Sequence, residues 1–265
     1  MTTLAAFIEG VGLLGPGLTD WASGVAVLNG AQPYTPQKTM LPAPQWLPAA
    51  ERRRSCGIVK LTLAIGAEAL AAANLDAKAL PTVFASSGGE GDNCHNICEV
   101  LASSDRQVSP TRFHNSVQNV TAGYWGIATG AMANATVVCA FDGSFSAGLL
   151  EALTVVVTGN TRTLLLAYDI SYPEPLHGAR PIHDALGIAL VLAPTRGAQA
   201  LARISATCST RDADTMSDAS LENLRTSIPA ARGLPLLHAL TQRSARSTVL
   251  EYLDGTSLTV DVSPC

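Results

Sequence analysis

Continuous apolar runs of strand length alternate with helically spaced segments along most of this chain. "PTVFASS" (81–87), "NATVVCAF" (134–141), "TRTLLLAYDI" (161–170) and "GIALVLAP" (187–194) hold few polar positions, the pattern of strands buried on both faces. "LAAFIEGVGLLGPGL" (4–18) predicts a short strand ending in a Gly-Pro-Gly loop. Residues 52–75, "RRRSCGIVKLTLAIGAEALAAANL", space their apolar positions helically in an alanine-rich context and predict a helix with one buried face. A further helix is expected from about His95 to Ala102, after the glycine loop "GGEGDN". "RISATCST" (203–210) alternates like a half-exposed strand, and "TVLEYLDGTSLTVDV" (248–262) predicts a hairpin around Asp254-Gly255. The proline-rich stretch 33–48 predicts a surface loop, because proline lacks the backbone donor that a helix needs. Strands alternating with helices predict an α/β fold, its sheet covered on both faces, in one compact domain.

Composition sharpens this picture. Hydrophobic residues make up 47% of the 265 and charged residues only 14%, so the surface is weakly charged and part of it is expected to lie under a partner. A net charge of −4 offers no basic footprint, which argues against nucleic acid as a partner. No uninterrupted apolar run approaches the roughly 18 residues of a membrane span, and no charged n-region precedes an apolar stretch, so a soluble cytoplasmic protein is expected. Six scattered cysteines fit reduced thiols. Cys94-His95-Asn96-Ile97-Cys98 brings two thiols and an imidazole together but lacks a fourth ligand, so no metal is expected, and Cys94 and Cys98 read as packing on one helix face. Gly89-Glu90-Gly91 begins a dinucleotide fingerprint that fails at Cys94, and no cofactor is expected.

The segment "VVCAFDGSFSAGLLEA" (137–152) carries the chemistry to be settled, because an apolar run meets an Asp-Gly step and then a small-residue helix. Cys139 lies within the apolar run and reads as a buried, inert strand thiol. Asp142 falls at the start of the next helix, where an aspartate reads as an N-cap. Ser144 and Ser146 do not fit a Gly-x-Ser-x-Gly elbow.

Three segments resemble the β-ketoacyl synthases of the thiolase fold: "SPTRFHNSVQNVTAGYWGIATG" (109–130), "NATVVCAFDGSFSAGLLEAL" (134–153), and the pair "LLLAYDISYPEP" and "HDALGIALVLAP". The resemblance covers about residues 4 to 200 and is closest to a short, chain-length-factor-like subgroup. It implies a layered α-β-α fold whose N-terminal half, 1–202, is complete and whose C-terminal portion, 203–265, is reduced and closes with the hairpin. Placing Asn119, Ala122 and Gly123 on the family's Asn-x-x-Ala-Gly step and counting forward puts Asp142 where the synthases have their nucleophilic cysteine. None of His95, His114, His177, His183 and His238 stands in the setting of the family's two catalytic histidines.

The resemblance therefore implies a non-catalytic chain-length factor that pairs with a full-length ketosynthase, shapes its acyl tunnel and works with an acyl carrier protein in type II polyketide or fatty-acid-like elongation. An aryl-polyene-type product agrees with the subgroup. Arg112, Phe113, His114, Ser116, Gln118 and Phe141 are the residues implied at the tunnel or interface, with bulky Phe113 the first candidate for the tunnel floor or, equally, ordinary packing. Arg52, Arg53 and Arg54 read as a solvated helix start or as contacts to the acidic carrier protein. The competing readings are an autonomous synthase or acyl hydrolase using Cys139 or Asp142, and a structural homodimer.

Overall fold

The computed structural model describes residues 4–265. The first half of the chain runs β1 (Leu4–Leu14), α1 (Trp21–Leu28), α2 (Ala49–Arg54), α3 (Gly57–Ala73), β2 (Thr82–Ala85), α4 (Gly91–Ala102), α5 (Pro110–Asn115), α6 (Val120–Thr129) and β3 (Ala135–Val138). The second runs α7 (Ser144–Gly159), β4 (Thr163–Asp169), α8 (Leu176–Ala179), β5 (Leu186–Ala193), β6 (Ala202–Ser209), α9 (Ala219–Ser227), α10 (Leu234–Leu240), β7 (Arg246–Leu253) and β8 (Thr256–Pro264). Short 3-10 turns precede α7 (Phe141–Gly143) and α10 (Pro229–Gly233).

All eight strands form one sheet in the order β3-β2-β4-β5-β1-β6-β8-β7. Side chains alternate across a strand, so a run that reads as uniformly apolar divides between two cores. Leu164, Leu166, Ala189 and Val191 face the layer of α3 and α6, with Ile65, Phe84 and Trp125. Leu165, Ile188, Leu190 and Leu192 face the layer of α7, α9 and α10, with Phe145, Leu149, Leu153 and Leu237. The result is the α-β-α layering implied by the resemblance, at a reduced size. Gly10 and Gly12 of β1 let α3 approach, because a Cβ at either would strike the carbonyl oxygens of Ala69 or Ile65.

Several expected boundaries move. β1 is an 11-residue strand rather than a short one. The helix expected over 52–75 is two helices broken at Ser55-Cys56, and α3 starts where the buried Glu90 carboxylate accepts the Ile58 N–H at 3.2 Å. Cys56 at its N-cap makes no side-chain cap bond, so Glu90 supplies one from a distant loop. α4 begins at Gly91, and Cys94 and Cys98 on it are exposed, which overturns their reading as packing residues. The proline-rich stretch does form a loop. The segment after residue 203 joins the same sheet, β6 pairing with β1 from Leu4↔Ala206 to Ile8↔Ala202.

Phe141–Gly159 is the one segment among the described residues long and apolar enough to cross a bilayer, and it packs as a core helix with 56% of it buried.

Candidate functional site

The strand-to-helix turn between β3 and α7 is built by local hydrogen bonds. The Ser144 hydroxyl donates to the Phe141 carbonyl oxygen at 2.7 Å and accepts the Ala140 N–H at 3.0 Å. The Gly143 N–H closes the turn on the Ala140 carbonyl at 2.9 Å. Gly143 is required there, because a Cβ would run into the Tyr252 carbonyl of β7. Ser144 and Ser146 are fully buried, and Ser146 donates to the Glu251 carbonyl oxygen at 2.6 Å, so both serines hold structure.

Two readings of this turn are corrected. Cys139 is exposed, not buried: β3 stops at Val138, on the sheet's outermost strand, and the thiol donates to the Ser87 carbonyl oxygen at 3.3 Å. Asp142 does not cap α7. The N-cap position is Gly143, which has no side chain to bond the helix amides, and the Asp142 carboxylate turns instead to arginines. Arg180 Nη2 donates to Oδ1 at 2.8 Å, and Arg232 Nη2 lies 3.5 Å from Oδ2. The network continues: Arg232 Nη1 donates to Glu251 Oε2 at 2.5 Å, Arg225 Nη1 reaches the same oxygen at 3.5 Å, and Arg225 grips Glu222 through Nε (2.8 Å) and Nη2 (2.6 Å). Three guanidinium groups thus meet three carboxylates, and Arg225 and Arg232 are buried to 6% and 8% exposure. Buried guanidinium groups survive only when paired in this way. Arg225 holds the Glu222 carboxyl below its ordinary range.

Beneath the turn, Asp169 at the end of β4 is buried and ties three segments together. Its Oδ1 accepts from Ser86 Oγ (3.2 Å), Ser87 N (2.9 Å) and Ser87 Oγ (2.6 Å), and its Oδ2 accepts from Ala230 N (2.8 Å). Burial pushes its pKa from the ordinary value of 3.8 up to about 6, against the pull of those donors. Asp169, Arg180, Arg225, Arg232 and Glu251 were not legible in the sequence. They meet the turn from tens of residues away, and no local spacing announces them.

The residues of the expected interface are divided. Arg112, Phe113 and His114 lie on α5, with Phe113 66% exposed, so it does not pack inside this chain. The His114 ring meets Tyr124 edge-on at 5.8 Å between centroids. Ser116 donates to the Phe113 carbonyl oxygen at 2.9 Å, and Gln118 is half-buried with its amide oxygen turned to Gly89. Phe141 stands apart from them on the turn, 63% exposed. Six of the twelve large hydrophobic side chains that remain exposed among the described residues fall between 101 and 141: Leu101, Phe113, Val117, Ile127, Met132 and Phe141. Arg53 and Arg54 are exposed, with Arg54 paired to Glu51 at 3.2 Å, and the Asn115 amide donates to the Arg54 carbonyl oxygen. No group of three or more metal-ligating side chains occurs among the described residues.

No curated protein sequence matches the chain. The fold recurs in solved structures. One is the ketosynthase ApeO in complex with its chain length factor ApeC from Xenorhabdus doucetiae, with a TM-score of 0.73 at 22% identity over 97% of this chain and 99% of that one. The ishigamide ketosynthase/chain length factor aligns with a TM-score of 0.72 at 14% identity over 98% and 99%. The type II polyketide complex AntDE:AntF aligns with a TM-score of 0.77 at 11% identity over both whole chains. The sequence profile described as "Beta-ketoacyl synthase, N-terminal domain" matches residues 28–252, most of the chain, and with the layered sheet and the strand-turn-helix built around Phe141–Gly143 this places the protein in the β-ketoacyl synthase family.

Proposed function

We propose that this chain is a chain-length factor: a subunit that takes no acyl group itself, pairs with a full-length ketosynthase and shapes that partner's acyl tunnel. The observation that carries the reading is the turn, which keeps the form of a nucleophile elbow but bears an aromatic ring and a carboxylate already held by two arginines. A carboxylate whose oxygens are engaged in this way is a poor nucleophile. Its charge also opposes a developing oxyanion. The apolar side chains exposed between 101 and 141, together with the open edge of β3, supply surface for the partner. Solved relatives support the pairing, since two of them contain a ketosynthase with its chain length factor, and the third holds an acyl-carrier protein with its ketosynthase. On this reading acyl carrier protein delivers the extender units, and an aryl-polyene-type product fits the subgroup that the sequence resembles.

The test is to co-express the chain with a cognate ketosynthase, purify through a tag on this chain alone and assay condensation from malonyl-carrier protein. Elongation is expected to survive Asp142→Ala and to vanish when the partner's nucleophilic cysteine is removed. Elongation or acyl hydrolysis by this chain alone would overturn the reading. Exposed Cys139 sustains a second one, an autonomous enzyme, and loss of turnover in Cys139→Ala with the ketosynthase intact would favour it.

A further inference from the structure

We infer that Phe141, one residue before the aspartate that ungapped counting selects, stands at the nucleophile position of the turn, and that Arg180, held by Asp142, closes the space above it. A nucleophile elbow works by strain: a sharp strand-to-helix turn forces one residue into an unusual backbone conformation that thrusts its side chain outward above a helix N-terminus. Among the described residues only Asn74, Phe141 and Asn160 combine a side chain with positive φ. Asn74 and Asn160 end α3 and α7 as left-handed caps, the place where asparagine commonly adopts that conformation. Phe141, at φ 50°, ends no helix and belongs to a bulky residue type that avoids this region. Its conformation is imposed from outside, by Ser144 bridging Ala140 and Phe141 and by Gly143 wedged against Tyr252.

The side chain at this strained position is 63% exposed, as an elbow requires, and sits two residues before Gly143, the N-cap of the 16-residue helix α7. The Arg180 guanidinium carbon lies 3.5 Å from the centre of its ring, a cation–π contact, while the same guanidinium donates to Asp142. Asp142 turns away from the exposed position into the arginine cluster. The aspartate therefore positions Arg180, and the ring and guanidinium together fill the volume in which an acyl carbonyl would have to sit. The segment between β4 and β5 that carries Arg180 is pinned over the turn by this contact.

The inference deepens the proposed function and rests on the chain's being a synthase relative. Its test reads thiol chemistry in this chain, so failure would leave the pairing with a ketosynthase standing. Phe141→Cys and Asp142→Cys are prepared separately in a Cys139→Ala background of the full chain, and iodoacetamide labelling is followed from pH 5 to 9 by peptide mass mapping, which separates each thiol from all others. The thiol at 141 is expected to label at least about tenfold faster at neutral pH than that at 142, with a pKa lowered by the helix N-terminus and Arg180. Adding Arg180→Ala is expected to raise that pKa. Equal or faster labelling at 142 overturns the assignment. Should either cysteine variant fail to fold, paired glycine and alanine variants decide the point, since each pair loses the same side chain and differs only in the Cβ that a positive φ penalises. Phe141→Gly should melt above Phe141→Ala, and Asp142→Gly below Asp142→Ala. Glycine no better than alanine at 141 overturns the inference.

Discussion

The two edges of the sheet are finished in opposite ways. At one end β7 has outward backbone groups of Val249 and Glu251 occupied within the chain. The Asp214 N–H donates to the Val249 carbonyl oxygen at 2.8 Å, Asp214 Oδ2 accepts the Val249 N–H at 3.0 Å, and the Ser146 hydroxyl takes the Glu251 carbonyl. At the other end no strand among the described residues pairs with the outward side of β3. Its Asn134 and Val138 carbonyls accept from Thr82 and Ser86, on the β2 side, so the alternation of a parallel ladder points the N–H and C=O of Val137 outward to the open edge. Exposed Met132 and Phe141 flank β3 along the chain, and exposed Ile127 lies on α6, which packs against it. A sheet edge left unpaired is a template for another chain, and proteins ordinarily blunt it. This one blunts the edge built from its C-terminal portion and leaves the edge beside the family's elbow open, which is how a subunit that completes itself on a partner should look.

The largest effect should come from breaking the bare edge. Val137→Pro removes an outward N–H without touching the ladder to β2, and proline is tolerated at such edge positions. It is expected to weaken the complex with the ketosynthase by about 3 kcal/mol, over a hundredfold, while the chain's own unfolding transition stays nearly in place; co-purification and calorimetry together check it. Retained binding would mean that the partner does not pair with β3.

Acidity should separate the closed region from the open one. Asp169 is raised to about 6 in the folded protein, so between its unfolded value of 3.8 and 6 the folded state holds a proton that the unfolded state has released. Its contribution to stability is greatest at low pH and is lost as the pH rises through that window, by up to about 3 kcal/mol for a shift of about two units. Chemical denaturation of wild type and Asp169→Asn across pH 4 to 7 should show this slope in the wild type alone.

Opening the closed edge should cost somewhat less. Asp214→Ala strands the Val249 N–H and the Thr248 hydroxyl, for about 2 kcal/mol, and the freed edge should raise the tendency to self-associate, measurable by light scattering. The smallest effect on stability belongs to Phe113→Ala: a ring 66% exposed contributes within about 0.5 kcal/mol to folding, so any change in product length or partner affinity would report the interface directly.

Much of the architecture was legible because it rests on local rules. Period-two burial, alanine-rich helical spacing and the Asp254-Gly255 turn, where Gly255 has φ 67°, act within a few residues and place the strands, the helices and the closing hairpin. Local motifs likewise suffice to recognise the family. The electrostatics of the turn were not legible, because Asp142 finds Arg180 and Arg232 only once the chain has folded, and at the sequence level it is indistinguishable from a helix cap. Cys139 shows the same limit: an apolar run predicts a strand but not which strand lies at the edge, and exposure depends on that order. The sequence by itself determined the core strands, the closing hairpin and the family. Tertiary structure alone decided which edge stays open and which charges meet at the turn, because both depend on contacts between segments far apart in the chain, whose geometry local propensities do not encode.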